Sequence, residues 1–236
     1  MSMREFLTVP IRRVLEQSGR LGHVDQDLTS RDLFQVGMGR ATELARGMLR
    51  FRSYVFLGAG VKLRGKRRIR LAKFSAIGHA SAIDGISRHG VQLGAGAKLG
   101  RYVTVTGTSS TALMGHGLQL GRNSAIGDFG HVGCAGGVAI GDDVIIGPFV
   151  TFHSQEHETG RIDVEIRLQG TRQAAITIGN DVWVGSRVTF LAGSIVGAHS
   201  VVAAGAVVRG HFAPYSVIGG VPARVIKQRN TNVDEI

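Results

Sequence analysis

Two histidines and two glutamates stand close together in the stretch TFHSQEHETG, residues 151–160. Histidine is the side chain whose ordinary pKa, about 6.5, suits proton transfer near neutral pH. His157 is followed by about twenty residues that lack the regular pattern of the flanking sequence. This placement predicts a general base at the root of a long loop. We expect His153, just upstream, to line the same site.

The pattern that this stretch interrupts is a six-residue repeat. An aliphatic residue usually begins each hexad, Gly or Ala often follows, and a small or β-branched residue often takes the fifth position. The hexads group in threes, and every additional residue falls after a third hexad. Three hexads therefore make one turn of a solenoid, and the insertions share one corner. The hexads begin at Phe51, Leu57, Leu63, Leu71, Ile77, Ile83, Leu93, Leu99, Val105, Leu120, Ile126, Val132, Ile140, Ile146, Phe152, Ile178, Val184, Phe190, Val196, Val202 and Val208.

Each hexad fits a short strand and a tight turn, with the aliphatic side chain pointing inward. Parallel strands of successive turns would then satisfy one another's backbone hydrogen bonds. The sequence predicts an all-β solenoid, a triangular parallel β-helix of about seven coils, over residues 51–213, with a catalytic loop at 158–177 and a tail at 214–236. Residues 1–50 lack the repeat and have helical composition. We expect a helical cap over the first coil or a basic amphipathic surface on anionic lipid, and one segment could do both.

The net charge of +11 favours anionic partners. The basic residues cluster at 40–73 and near the C-terminus without interleaved aromatic residues, so we do not expect nucleic-acid binding. No apolar run reaches the roughly 18 residues that span a bilayer. The single cysteine, Cys134, fits a reducing compartment. We expect a cytoplasmic protein, peripheral at the inner membrane face if the basic segment binds lipid.

The segments EHETGRIDVEIRLQG, ITIGNDVWVG, VAAGAVV and GGVPARVI together resemble the sugar O-acetyltransferase branch of the hexapeptide-repeat acyltransferases. The resemblance covers roughly residues 51–229. It implies a left-handed β-helix, an exception to the right-handed crossover preference. It also implies a homotrimer with active sites at subunit interfaces, and acetyl-CoA or another short acyl-CoA as co-substrate. The family's catalytic histidine, followed by Gln-Gly and then I-G-x-x-V-W-[IV]-G, matches His157, Gln169–Gly170 and the segment from Ile178.

The resemblance further implies a CoA-binding set in the late coils. Where the family often has Thr-Lys near the CoA phosphates, this chain has Arg209–Gly210, so the guanidinium would take that place. The expected set is Trp183, Ser186 and Ala204 along the pantetheine, Arg209 at the phosphates, and Arg224 and Lys227 toward the nucleotide end.

The implied reaction is direct transfer, in which His157 removes a proton from an acceptor hydroxyl as that oxygen attacks the thioester. A carboxylate that orients the histidine is expected, and Asp128 and Asp142 are the candidates. Cys134 is not expected to act as a nucleophile, because nothing near it in sequence suggests activation. His116, in the insertion at 106–119, either reaches the acceptor site or lies on the surface.

Several alternatives remain at this point. The favoured acceptor is a hydroxyl of a saccharide or cell-envelope glycan precursor, followed by a xenobiotic hydroxyl and a sugar amine. Gamma-type carbonic anhydrases share the fold and bind zinc through three histidines, and His116, His153 and His157 have a vaguely similar spacing. The transferase reading requires no metal. A non-catalytic scaffold is the last alternative.

Overall fold

A computed structural model describes residues 25, 27–107 and 113–229. Residues 1–24 of the expected cap, the centre of the insertion at 106–119, and the end of the expected tail lie outside the described residues. Within the described part, one α-helix, α1 (Ser30–Phe51), precedes a long series of short β-strands.

The strands run around a three-sided prism, and each side is one sheet. Sheet A contains β1 (Phe56–Leu57), β4 (Ala76–Ile77), β7 (Lys98–Leu99), β10 (Ala125–Ile126), β13 (Ile145–Ile146), β18 (Trp183–Val184), β21 (Val201–Val202), β24 (Ser216–Gly220) and β25 (Ala223–Gln228). Sheet B contains β2 (Lys62–Arg64), β5 (Ala82–Asp84), β8 (Thr104–Thr106), β11 (His131–Gly133), β14 (Thr151–His153), β19 (Thr189–Leu191) and β22 (Val207–Val208). Sheet C contains β3 (Ile69–Leu71), β6 (Val91–Leu93), β9 (Leu118–Leu120), β12 (Val138–Ile140), β17 (Ile176–Ile178), β20 (Ile195–Val196) and β23 (His211–Phe212). A separate hairpin consists of β15 (Gln155–His157) and β16 (Thr171–Gln173).

Each strand of the prism pairs in parallel with its counterpart one coil away. In sheet A, for example, Ile126 is in register with Leu99 of the coil before and Ile146 of the coil after. Sheets B and C each hold seven strands, one from every coil. The predicted parallel β-helix of seven coils is therefore confirmed.

The interior is a column of the aliphatic residues that begin the hexads. Leu99 and Ile126 are fully buried, and in sheet B the stacked rings of Phe152 and Phe190 lie 4.9 Å apart. Small buried residues fill the corners. Ser124, for instance, donates a hydrogen bond to the Gly141 carbonyl at 2.6 Å. Removal of this apolar surface from water is the main force that holds the coils together.

Two corners of the prism differ in regularity. The corner between sheets A and B, here called the tight corner, is crossed in four-residue turns such as 78–81, 127–130 and 185–188. The corner between sheets B and C, here called the variable corner, is crossed by segments that range from residues 209–210 to residues 154–175. The insertions thus share one corner, as the hexad spacing predicts.

Helix α1 lies against the first coil. Its N-terminus has a capping box, in which Thr29 and Asp32 exchange side-chain to backbone hydrogen bonds. Near its C-terminus Arg46 donates to the Leu57 carbonyl at 2.8 Å, and Gly47 packs so closely on Val55 that a Cβ atom would overlap the Val55 carbonyl. No helix in the described ranges is long and apolar enough to cross a membrane.

The structure differs from the predicted boundaries at both ends of the prism. Phe51, expected to begin the first hexad, is the last residue of α1, and the first strand starts at Phe56. At the other end, β24 and β25 extend sheet A as an antiparallel pair. Much of the expected tail is therefore part of the folded body.

Candidate active site

The longest segment at the variable corner begins with the hairpin β15–β16. The two strands pair antiparallel, and just beyond them Glu158 N–H donates to the Gly170 carbonyl at 3.1 Å. His157, the last residue of β15, is exposed. Backbone hydrogen bonds thus fix His157 at the point where the chain leaves the regular coil.

The Gln169 side chain cross-links the loop beyond the hairpin through hydrogen bonds to its backbone. Its amide nitrogen donates to the carbonyls of Arg161 and Val164, both at 2.7 Å, and its amide oxygen accepts from the Arg161 N–H at 3.0 Å. Gly170 follows with a φ of 89°, a left-handed conformation that glycine adopts without strain. The Gln169–Gly170 pair therefore stabilises the end of the loop, just before the chain returns through β16 to the prism at β17.

His157 borders a cavity of about 240 Å³ against the outer face of sheet B. The lining comes from neighbouring coils and from the hairpin, and it includes Thr106, His131, His153 and Glu156. The structure therefore brings His157 and His153 together at one cavity and adds His131.

His131 was missed by the sequence reasoning. It is half-buried, and its ring centroid lies 6.0 Å from that of His153 with the planes tilted by 40°. Burial lowers the pKa of His131, and the neighbouring His153 lowers it further. The repeat did contain the signal, because counting along the hexads places His131 in register with Thr151, two residues from His153.

Glu156 connects the hairpin to the last coils. Its carboxylate lies 3.2 Å from the Arg172 guanidinium and 3.6 Å from that of Arg209. The guanidiniums are largely exposed, so each ion pair contributes little to stability. Arg209, expected to bind the CoA phosphates, thus lies at the variable corner and already contacts a carboxylate.

The two aspartates proposed to orient His157 lie at other corners of the prism in this chain. Asp128 lies at the tight corner, where Arg101 binds it at 2.7 Å. Asp142 lies at the third corner, between sheets C and A, and pairs with Arg122 at 2.8 Å. Hydrogen bonds from Arg122 lower the pKa of Asp142. Each carboxylate thus binds an arginine of the preceding coil, because hexad spacing indicates which residues are adjacent in sequence but not which corner each turn occupies.

The residues expected to bind CoA do not line the His157 cavity. Trp183, 59% exposed, lies on the outer face of sheet A between Ile145 and Val201. Ser186 and Ala204 lie at the tight corner of successive coils. Two further expected residues, Arg224 and Lys227, are exposed on β25. Sheet B therefore separates the pantetheine set from His157.

The remaining candidates stay apart from the cavity. Cys134 is buried, its thiol donates to the Thr106 carbonyl at 3.3 Å, and burial raises its pKa to about 12. Such a thiol is not a thiolate at neutral pH. His116 is exposed at the variable corner, with its ring 6.1 Å from that of His89. Across the part of the chain that the structure describes, no three or more His, Cys, Asp or Glu side chains gather as a metal site would require.

Residues 175–210 match the model of the bacterial transferase hexapeptide family, which consists of six repeats. These residues extend from β17 to β22. The match confirms the resemblance to the hexapeptide-repeat acyltransferases and the predicted fold class, a left-handed parallel β-helix with a short N-terminal helix.

Curated relatives agree with this match. The chain is 42% identical over 94 residues to a galactoside O-acetyltransferase of Escherichia coli, covering 39% of this chain and 45% of that protein. It is 36% identical over 115 residues to a putative lipopolysaccharide biosynthesis O-acetyl transferase of the same species, covering 46% and 59%. A probable acetyltransferase of Mycobacterium tuberculosis is 29% identical over 151 residues, covering 61% and 48%. The chain therefore spans about half the length of the curated relatives it matches.

Proposed function

On the premise that this chain is built from the hexapeptide repeat of bacterial transferases, we propose that it is an acyl-CoA-dependent O-acyltransferase. The proposed reaction moves an acetyl group from acetyl-CoA to a hydroxyl of a saccharide or cell-envelope glycan precursor. The observation that carries this proposal is the position of His157 on a hairpin at the edge of a cavity, at the longest interruption of the repeat.

His157 acts as the general base in this proposal. The imidazole takes the proton of the acceptor hydroxyl while the hydroxyl oxygen forms a bond to the thioester carbonyl carbon. The carbon–sulfur bond then breaks, and the proton passes from His157 to the departing thiolate. Backbone N–H groups near the cavity would stabilise the oxyanion. Among the described residues no carboxylate is hydrogen-bonded to the His157 ring, so the hairpin itself positions the base.

The acyl donor is proposed to bind along the late coils, with Trp183, Ser186 and Ala204 beside the pantetheine. Arg209 would meet the phosphates, and Arg224 with Lys227 the nucleotide. Since sheet B separates the pantetheine set from His157, one flat-faced prism does not gather donor and base into one pocket. A homotrimer with grooves between chains would do so, and we propose this assembly.

A saccharide acceptor is favoured because two relatives are named as acting in galactoside and lipopolysaccharide chemistry. The cavity is also lined by neutral polar groups such as Thr106, which suit hydroxyl groups. A xenobiotic hydroxyl is the second candidate and a sugar amine the third, since the same base and cavity would serve both. Another short acyl-CoA could replace acetyl-CoA.

We further propose that α1 contacts anionic membrane. Its exposed face carries large apolar side chains, among them Phe34 at 56% and Leu49 at 86% exposure. Basic residues accompany them, including Arg31 and Arg50. An interfacial helix combines these two features. Co-sedimentation with vesicles of anionic and of neutral lipid would test the idea, and equal binding to both would refute it.

The central test is thiol release from acetyl-CoA with a panel of sugars and glycan precursors. We expect acceptor-dependent release that falls by about 10²-fold or more in His157→Ala, the scale expected for loss of a general base. Because the His157 side chain is exposed, the melting temperature of His157→Ala should match that of the parent protein.

His199→Ala is the matched control. This histidine lies at the third corner, where its ring Nδ1 is hydrogen-bonded to the Asp181 carboxylate at 2.8 Å, far around the prism from the cavity. The His199→Ala variant should leave turnover unchanged. If no acceptor raises thiol release in the parent protein, the transferase proposal fails. If His157→Ala turns over normally, His157 is not the base.

A further inference from the structure

The pair His131 and His153 has no role in the reaction described above. Both side chains line the cavity that His157 borders. His131 belongs to β11 and His153 to β14 of the next coil, and their rings lie 6.0 Å apart. Two imidazoles this close together, beside the proposed base, can both contact one ligand in the cavity.

His131 departs from the rest of its column on sheet B. The residues in register with it are Thr104 one coil before and Thr151 one coil after, and the latter shares a hydroxyl hydrogen bond with Thr189 at 3.2 Å. A threonine would fill this place on a plain β-face. The larger imidazole appears only in the coil where the column meets the cavity.

The spacing of the two rings suits one hydroxyl oxygen between them. A hydrogen bond of roughly 2.7–3.2 Å, added to the radius of the ring, places a bonded oxygen about 4 Å from a ring centroid. Two such reaches together exceed the 6.0 Å between the centroids, so an oxygen to one side of the line can contact both rings. A neutral imidazole has one donor and one acceptor, and so does a hydroxyl group.

The surroundings favour a neutral ligand. The one carboxylate at the cavity, Glu156, is already paired with Arg172 and Arg209. Thr106 offers a hydroxyl group, while Gly133 and Ala135 leave room beside the rings. A volume of about 240 Å³ lies below the roughly 300–1,000 Å³ of sites for larger ligands, and it suits a single sugar ring.

We propose that His131 and His153 together bind a second hydroxyl of the acceptor, adjacent to the hydroxyl that His157 deprotonates. The site then selects pyranosides with a vicinal diol over acceptors with an isolated hydroxyl. This inference rests on the proposed transferase function, and it assigns the two residues to acceptor recognition rather than to the proton transfer.

Binding is tested without turnover, by following the imidazole proton signals of the full chain during titration with methyl hexopyranosides. At least one intact pyranoside should shift the signals of both His131 and His153. The monodeoxy counterpart lacks the second hydroxyl, the one vicinal to the reacting hydroxyl. Its affinity should be lower by about 10-fold or more, because a polar site rejects a ligand that leaves its groups unpaired. If no pyranoside shifts either signal, or if the deoxy sugars bind equally well, the proposal is overturned.

Kinetics with the same sugars separate this role from catalysis. His131→Ala and His153→Ala should raise KM for the intact acceptor by about 10-fold with little change in kcat, and leave KM for the deoxy acceptor nearly unchanged. His131→Gln, which restores an amide donor and acceptor, should recover part of the affinity. An equal rise of KM for both acceptors would indicate a merely structural role and overturn the proposal.

The two proposals fail in different ways. Loss of diol preference in a protein that still releases thiol overturns the acceptor assignment and leaves the transferase function standing. Pyranoside binding at the two imidazoles without any thiol release supports the hydroxyl site and refutes the transferase function.

Discussion

The tight corner and the variable corner are built from the same repeat, yet they serve different purposes. At the tight corner every coil turns in four residues, and Tyr102, Phe129 and Phe149 form a ladder of rings stacked at 5.0 and 4.9 Å. At the variable corner the connections differ from coil to coil, and one of them carries His157. The cavity that His157 borders forms at the corner where the repeat is interrupted.

Two glycines, one in a turn of the tight corner and one in the long loop of the variable corner, give the largest expected effect. A Cβ on Gly78, at the tight corner, would overlap the Gly100 carbonyl and lie 2.7 Å from the Arg101 nitrogen. Gly160, in the loop at the variable corner, has no atom within 4 Å of that position. We expect Gly78→Ala to lower the free energy of unfolding by about 3 kcal/mol or more, and Gly160→Ala to change it by less than about 0.5 kcal/mol.

Urea unfolding of the two variants beside the parent protein measures this contrast. Similar losses at both positions would show that the loop at Gly160 is packed as tightly as the turn at Gly78. Unchanged thiol release by Gly160→Ala would further show that the outer part of the loop is not needed by His157, the proposed base at its root.

This contrast also explains how much of the molecule the sequence could predict. Inward aliphatics within one coil, such as Leu93, Leu99 and Val105, repeat every six residues, so the strands, the coils and the corner that receives the insertions all followed from counting. The interruption of that count also singled out His157, the proposed base. Partners that depend on contact between coils were harder to predict, since Asp128 binds an arginine of the preceding coil and not the histidine.

His131 marks the boundary between these two kinds of inference. Its register could be counted, but its place in the cavity depends on the ring of His153 in the next coil and on the hairpin residues that line the same cavity. Neither the tilt of the His153 ring nor the course of the hairpin follows from a six-residue period. The predicted CoA residues have the same status, because a second chain would decide what they face.

The aromatic ladder allows a second, smaller test. Phe129 stacks on a ring at each side while its backbone has a φ of 58°, a conformation that costs non-glycine residues roughly 1–2 kcal/mol. Phe129→Ala should lose about 1–2 kcal/mol, since it removes two half-exposed stacking contacts and keeps the strained backbone. Phe129→Gly should be about 1 kcal/mol more stable than Phe129→Ala, because glycine relieves the strain.

Ala80→Gly is the control, since Ala80 occupies the same turn position at a φ of 55° without a stacked ring. It should gain about 0.5–1 kcal/mol in urea unfolding. If glycine proves worse than alanine at both positions, the backbone of the tight corner is not strained.

The smallest expected effect is a dependence on pH at the variable corner. Burial, with a further contribution from His153, lowers the pKa of His131 in the folded protein, so the unfolded chain binds the proton more readily. The stability that His131 contributes is present above its unfolded pKa of about 6.5 and is lost as the pH falls through the lower folded value.

His131→Gln should therefore flatten the fall in melting temperature between neutral and mildly acidic pH. His153→Gln should flatten it less, because that variant removes only the neighbouring charge while burial still acts on His131. Melting temperatures of the three proteins across this range measure the effect, and an equal fall in all three would show that protonation of His131 does not oppose folding.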